Sequence, residues 1–143
     1  MKPTPEELEF LRQRAADVPF LRLLDITLDS VGDGQAQMSL TVSEKHLQTM
    51  GIAHGGVIAS LLDSVTWWAA FAAQQPGEPV RLVSSDLKLN YLSALRTGKA
   101  TAKGRCKKSG SRLCHAVGEI YDDAGRLIAD GSSSLLVLRP DAS

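Results

Sequence analysis

Cysteine is almost absent from this chain: Cys106 and Cys114 are the two, too few for a disulfide scaffold. There is no Cys-x-x-Cys, and His46, His54 and His115 stand at no metal-ligand spacing, so no bound metal is expected. Phosphate-loop and dinucleotide glycine fingerprints are missing as well, which removes the usual nucleotide cofactors. Charge of one sign is not in excess either. Sixteen basic and sixteen acidic side chains cancel, which excludes gross electrostatic capture by nucleic acid or by an anionic membrane. Repeats, low-complexity tracts and an internal linker are lacking, and 143 residues suit one domain. The opening MKPTPEELEF sets Glu6, Glu7 and Glu9 where an export signal needs an apolar run, which predicts a cytoplasmic protein with both thiols reduced.

One long apolar run does occur. Gly55 to Ala73 is 19 residues with a single charge, Asp63. A carboxylate near the middle of a membrane span would cost about 2.5–3.5 kcal/mol. Ser60, Ser64 and Thr66 add polar groups, and no Lys or Arg flanks the run closely. The run therefore reads as a helix of a soluble protein, buried on nearly all sides and spanning about 55–74, up to the Gln74-Gln75-Pro76-Gly77 breaker.

The rest of the chain divides at its turn signals. Residues 4–16 form a predicted helix: Thr4 caps, Pro5 suits the first turn, Glu6 and Glu7 favour the positive end, and Pro19 stops it. Residues 22–31 and 34–42 alternate as strands around a Gly32-Asp33-Gly34 hairpin turn, with Ala36, Met38, Leu40 and Val42 on one face. Residues 43–53 are a polar loop with room for one helical turn. Four further strand runs follow, 80–92, 98–108, 112–121 and 126–138, the later ones separated by turns at 108–111 and 122–125. The expected class is α+β, an antiparallel sheet of about six strands wrapped around one long buried helix. A helix 1–19 precedes a domain spanning 20–143 in what is one domain overall. One curled sheet does not cover a helix that is apolar all round, so a partner subunit is implied.

The informative window runs from Gln48 to Gly56, followed six residues later by Asp63. Glycines that open a helix leave bare N–H groups at its positive end, where a ligand oxygen can approach unhindered. That is an oxyanion-hole geometry; the same glycines could simply turn the loop into the helix. Asp63 is expensive in an apolar helix without a partner. Eight residues in, it is no cap, and no Lys or Arg offers a local pair, so the carboxylate points to a general base or nucleophile. Gly55 and Asp63 lie about 12 Å apart along the axis at roughly 1.5 Å per residue. If both touch one substrate, they come from two antiparallel copies of this helix, which asks for a two-fold dimer.

The run HGGVIASLLDSVTWWAA, the strand VSSDLKLNYLSAL and the closing segment GKATAKGRCKKSGSRLCHAVGEIYDDAGRLIADGSSSLLVL resemble the hotdog-fold acyl-CoA thioesterases of the PaaI type, over about residues 20–138. The resemblance implies hydrolysis of an aryl or short-to-medium acyl-CoA, with coenzyme A as part of the substrate and no separate cofactor. It places Asp63 as the family's carboxylate, attacking the thioester or activating water. The Gly55 N–H, beside Gly56, would polarise the carbonyl. Gln48 stands where many members have Asn, and its amide would hold the thioester oxygen or the water. Ser84 would orient that water. His54 would shape the loop by hydrogen bonding rather than act as base. Trp67, one turn after Asp63, would wall and shorten the acyl pocket, or simply pack in the core.

Residues 99–112 carry six cations and no acid. They read either as a solvated hairpin edge or, by the resemblance, as the phosphate contact for coenzyme A, with Lys107, Lys108, Gly110 and Arg112 in that role. Cys106 and Cys114 are symmetric about Gly110 and so are expected as cross-strand neighbours. The expected assembly is a homodimer paired into a homotetramer, with no nucleic acid or membrane partner. Two other readings remain: a non-catalytic acyl-CoA-binding or regulatory protein, and an enoyl-thioester hydratase. A pure binder has no need of the buried carboxylate, and His54 followed by two glycines fits the hydratase pattern poorly.

Overall fold

A computed structural model describes residues 1–140 of the chain; the last three residues of the expected domain, 141–143, lie outside the described residues. Helix α1 spans Pro5–Ala16. Its start is a capping box: the Thr4 hydroxyl accepts from the Glu7 N–H at 3.2 Å, and the Glu7 carboxylate accepts from the Thr4 N–H at 2.7 Å. Pro19 does stop α1, because the residue before a proline is driven to extended backbone. Pro19 then serves as the first residue of a second short helix, α2, Pro19–Leu23. The expected strand 22–31 is shortened accordingly. An apolar run as short as FLRLL does not distinguish strand from helix by period, and strand β1 begins only at Thr27 and ends at Gly32.

The remaining elements follow the turn signals. Strand β2 is Gln35–Thr41, joined to β1 through Asp33 and Gly34, both at positive φ (52° and 70°). A single 3-10 turn at Glu44–His46 occupies the polar loop. Helix α3 is Gly55–Phe71, one turn shorter than the apolar run allows, and β3 is Arg81–Tyr91. Then come β4 (Lys99–Ser109), β5 (Leu113–Tyr121) and β6 (Leu127–Leu138). The six strands form one antiparallel sheet in the order β1-β2-β4-β5-β6-β3, with α3 lying across it. No helix among the described residues is long and apolar enough to cross a membrane.

The sheet covers one half of α3. Leu61, Leu62, Val65 and Ala69 have no exposed surface. The opposite face, Gly56, Ser60, Asp63, Ser64, Trp67 and Phe71, stays partly or fully open. The helix is thus less enclosed than the sequence pattern implies, and the uncovered stripe is the one that carries Asp63. Its hydroxyls turn inward: Ser60 Oγ donates to the Gly56 carbonyl and Ser64 Oγ to the Ser60 carbonyl, each at 2.7 Å. The N-terminal segment belongs to the same body, since Ala15 and Leu21 are part of the principal apolar core.

The height of α3 above the sheet is set by three glycines. Gly104, Gly118 and Gly131 are direct register partners across β4, β5 and β6. A Cβ on Gly104 would stand 2.5 Å from the Val65 carbonyl oxygen, and one on Gly118 would stand 2.8 Å from Leu62 Cδ1. The first obstacle is helix backbone, the second the end of a flexible side chain. Gly104→Ala should therefore destabilise the fold by about 1–3 kcal/mol, the range for overpacking, and Gly118→Ala by clearly less. Urea denaturation of the two variants checks the order; equal midpoints would show that the helix rides freely over this row.

Candidate active site

The first cluster is built on α3 and β3. Ser84 Oγ donates to Asp63 Oδ1 at 2.8 Å. A hydroxyl that gives its proton to a carboxylate keeps its lone pairs for another donor. Ser84 reaches the helix because of a bulge. The β3–β6 register shifts between Ser84 and Asp86, so Leu82 and Ser84 before it, and Leu87, Leu89 and Tyr91 after it, all turn toward α3. Without the extra residue, Ser84 and Tyr91, an odd number of positions apart, would face opposite sides. Trp67 sits beside this pair. Its Nε1 donates to the Leu82 carbonyl at 2.9 Å, and its ring stacks on Phe71 with centroids 5.6 Å apart and planes 7° apart. Trp68, nearly buried, meets Trp67 edge-on at 5.2 Å. Asp63, Ser64, Trp67 and Trp68 form one wall of a cleft of about 330 Å³.

The second cluster is the α3 N-terminus. His54 is its N-cap, and His54 Nδ1 accepts from the Gly56 N–H at 2.8 Å. The Gly56 N–H is thereby taken up inside the protein, which removes it as a donor to substrate. The His54 carbonyl accepts from Val57 and Ile58. The Gly55 N–H has no acceptor among the described residues, and it remains the donor at the positive end of the helix. Tyr91 OH donates to the Gly55 carbonyl at 2.9 Å, and a Cβ on Gly55 would meet the Tyr91 hydroxyl at 3.3 Å. Sequence reasoning missed Tyr91, because only the β3 bulge brings it to this side.

Gln48 lies in the preceding loop, where its Oε1 accepts from the Met50 N–H. Its Nε2 makes no hydrogen bond among the described residues, so the amide group has a donor to offer. The loop itself hangs on His46, also missed, which is fully buried. His46 Nε2 donates to the Leu24 carbonyl at 2.7 Å, its Nδ1 accepts from the Ser43 N–H at 2.9 Å, and its carbonyl accepts from the His54 N–H at 2.7 Å. A buried histidine with both nitrogens satisfied fixes where the loop enters α3. Its position in a polar loop gave no periodic signal for that.

The third cluster is the β4–β5 hairpin. Lys107, Lys108 and Arg112 are exposed, and the Gly110 N–H donates to the Leu113 carbonyl at 2.9 Å to close the turn. The hairpin packs at the C-terminal end of α3, where Gln74 Nε2 donates to Ser109 Oγ at 3.2 Å. Within one chain these cations are therefore far from Gly55, since α3 alone runs about 24 Å from Gly55 to Phe71 at roughly 1.5 Å per residue. Cys106 and Cys114 are neighbours across β4 and β5, as expected, but they do not stand directly opposite one another. A bulge between Cys106 and Lys108 shifts the register, so Cys106 pairs with Ala116, and Cys114 with Ser109. Both thiols are free. Burial pushes the Cys106 thiol above its ordinary value, with the neighbouring Cys114 adding to the shift.

Comparison with known proteins shows what the chain is similar to. The thioesterase superfamily profile matches residues 50–129, which holds Gly55, Asp63 and Ser84. Human acyl-coenzyme A thioesterase 13 is 31% identical over 108 residues, 74% of this chain and 75% of the relative. The 1,4-dihydroxy-2-naphthoyl-CoA hydrolase of Escherichia coli is 29% identical over 117 residues, 80% of this chain and 83% of the relative. Among solved structures, a thioesterase of Haemophilus influenzae superposes with a TM-score of 0.85 at 22% identity, covering 95% of this chain and 94% of the other. AziG of S. sahachiroi superposes at 0.79 with 26% identity, covering 85% and 98%.

The capping role of His54 has a direct consequence. His54→Ala removes the acceptor for the Gly56 N–H and should cost about 1 kcal/mol of stability, whereas His54→Asn, a good N-cap residue, should recover most of it. Denaturant titration of both variants reads this out. Equal losses would mean that the ring is needed for something other than the cap.

Proposed function

The chain belongs to the thioesterase superfamily, and from that membership we propose that its site hydrolyses acyl-CoA thioesters, with Asp63 as general base. The observation that carries the assignment is the Asp63–Ser84 pair. Ser84 gives its proton to Asp63 Oδ1, so a water bound at that corner can donate one hydrogen to Ser84 Oγ and the other to the free oxygen of Asp63. The water oxygen then attacks the thioester carbon while its proton passes to Asp63. The carbonyl oxygen becomes an oxyanion held by a Gly55 N–H, a donor of the kind whose removal costs about 10²–10³ in rate. Collapse of the intermediate breaks the C–S bond, and the departing thiolate takes the proton from Asp63. The Gln48 amide supports the oxyanion or the incoming carbonyl.

Gly55 and Asp63 of one chain stand too far apart to share one carbonyl, so we assign them to two subunits related by a two-fold axis. Two features favour association. Strand β3 is an eleven-residue edge strand, of the kind that pairs readily with another copy. The stripe of α3 that the sheet leaves open is the stripe that bears the carboxylate. Antiparallel α3 helices would also bring each hairpin with Lys107, Lys108 and Arg112 toward the other subunit's Gly55, where the phosphates of coenzyme A would lie. On the outer face of the sheet, Val83, Leu136 and Leu113 are direct register partners and all exposed, a surface suited to pairing dimers into a homotetramer. A cytoplasmic setting, where thiols stay reduced, suits the free Cys106 and Cys114.

Thiol release from a panel of acyl-CoAs tests the reading. Asp63→Asn should fold normally and lose about 10²–10⁴ in kcat, the usual contribution of a positioned base. Ser84→Ala should lose less. Wild-type turnover unaffected by Asp63→Asn would remove the carboxylate from the mechanism. Binding of acyl-CoA without turnover would instead favour the non-catalytic reading.

A further inference from the structure

Two glycines in succession, Gly55 and Gly56, open α3, at the point where the proposed mechanism asks for a rigid donor. A residue without Cβ has φ and ψ that no side chain restricts. The direction of the Gly55 N–H must therefore be held by bonds from elsewhere. A peptide unit is planar, so fixing its ends fixes the whole plane. The plane before Gly55 is held by its carbonyl, that of His54, which accepts from the Val57 N–H at 2.9 Å and the Ile58 N–H at 3.3 Å. The plane after Gly55 is held at both ends. Its N–H, that of Gly56, donates to His54 Nδ1 at 2.8 Å, and its carbonyl, that of Gly55, accepts from the Tyr91 hydroxyl at 2.9 Å. We infer that Tyr91 is a positioning residue for the Gly55 N–H: it clamps the peptide that follows the donor and does not itself touch the reacting atoms. The inference rests on the reading of that N–H as the oxyanion donor.

Three observations carry it. The first is that burial does not put the phenol where it is. Tyr91 is 58% exposed, so its hydroxyl could be hydrated like any surface phenol, and instead it gives its proton to a backbone carbonyl of α3. The second is the fit between ring and glycine. A Cβ on Gly55 would stand 3.3 Å from the Tyr91 hydroxyl oxygen and 3.4 Å from two carbons of the ring, so a side chain at 55 would crowd the phenol against its acceptor. The third is the anchoring of the strand end that delivers it. The Leu92 and Ser93 N–H groups both donate to the Ile128 carbonyl, at 2.9 and 3.1 Å, and the Leu95 carbonyl accepts from the Ala53 N–H at 2.7 Å. The chain leaving β3 is thus tied to β6 on one side and to the loop entering α3 on the other. The phenol reaches Gly55 from a fixed base.

The experiment uses the acyl-CoA of the panel above that wild type turns over fastest. Steady-state hydrolysis is compared in wild type, Tyr91→Phe and Tyr91→Leu, with Tyr121→Phe, at the chain's other tyrosine, as control. Backbone amide NMR relaxation is recorded on the same proteins without substrate. Tyr91→Phe should lower kcat roughly three- to tenfold, the effect of one lost neutral hydrogen bond. KM should stay unchanged, because the donor it misplaces acts in the transition state. Tyr91→Leu should show the same split, and Tyr121→Phe should match wild type. The Gly55 and Gly56 amides, as ordered as mid-α3 in wild type, should become more mobile in both Tyr91 variants. Wild-type kcat in Tyr91→Phe overturns the inference, since the ring alone would then suffice. A loss confined to KM also overturns it, because the hydroxyl would then contact the substrate in the ground state. Amides as ordered in Tyr91→Phe as in wild type overturn it whatever happens to kcat. Amides that loosen in Tyr91→Phe, in a protein that hydrolyses no acyl-CoA, uphold the clamp and overturn the hydrolase reading instead.

Discussion

The close approach of α3 to the sheet is the constraint on which the rest depends. Gly104, Gly118 and Gly131 remove three side chains in a row from the strands directly beneath the helix. Each glycine in a strand costs conformational entropy, about 0.5–1 kcal/mol relative to alanine. The row is offset by what it permits: Leu61, Leu62 and Val65 reach the sheet and lose all exposed surface, at about 1.5–3 kcal/mol for each large apolar side chain buried. The geometric consequence matters more. The Ser84–Asp63 contact is 2.8 Å, and a hydrogen bond fails within a fraction of an ångström beyond its ordinary range. A helix lifted by one methyl group over Gly104 would carry Asp63 away from Ser84 and Gly55 away from Tyr91. Packing at the middle of the helix therefore fixes chemistry on its open face.

A second constraint acts along the strand. The bulge in β3 lets one strand serve both ends of the helix, with Ser84 at Asp63 and Tyr91 at Gly55. The N-terminal end is held from the other side by His46, whose buried ring ties the loop to Leu24 and Ser43. The Gly55 peptide is thus fixed by the loop and helix it joins and by β3, which is remote in sequence. A donor aimed at a developing charge is effective only when it need not reorganise as the charge appears, and in the proposed mechanism this bracing would supply that rigidity.

What was legible in the sequence follows from the range of the interactions. Turns wrote themselves locally. Gly32-Asp33-Gly34 carries the positive φ angles of its hairpin. The 122–125 turn is closed by the Asp122 carboxylate, which accepts from the Arg126 and Ala124 N–H groups; those bonds, the Arg126 one first, hold it below the usual carboxylate range. Asp63 stood out because a lone charge in an apolar helix is costly to keep unless it has a use, and Gly55 because a glycine opening a helix exposes a donor. The glycine row, the β3 bulge and the anchoring by His46 and Tyr91 were not legible. Each is a relation between strands or between a strand and the helix, and a bulge erases the parity from which such relations would be inferred. The cysteines show the same limit: symmetry about Gly110 made them cross-strand neighbours, which they are, but one extra residue at Lys107 moved them out of direct register.

The distribution of the site also accounts for the half-open helix. In the proposed dimer, the donor at one end of α3 and the carboxylate two turns on each complete a site with the other's counterpart, so neither subunit alone holds the full set. The open stripe must then be polar enough to persist before association. Ser60 and Ser64 manage this by bonding back to their own helix carbonyls, which satisfies their hydroxyls without making the stripe strongly hydrophilic. The stripe can then lose the water over its serines at little cost. In the proposed dimer, the helix face that forms the interface is therefore also the face that bears the site.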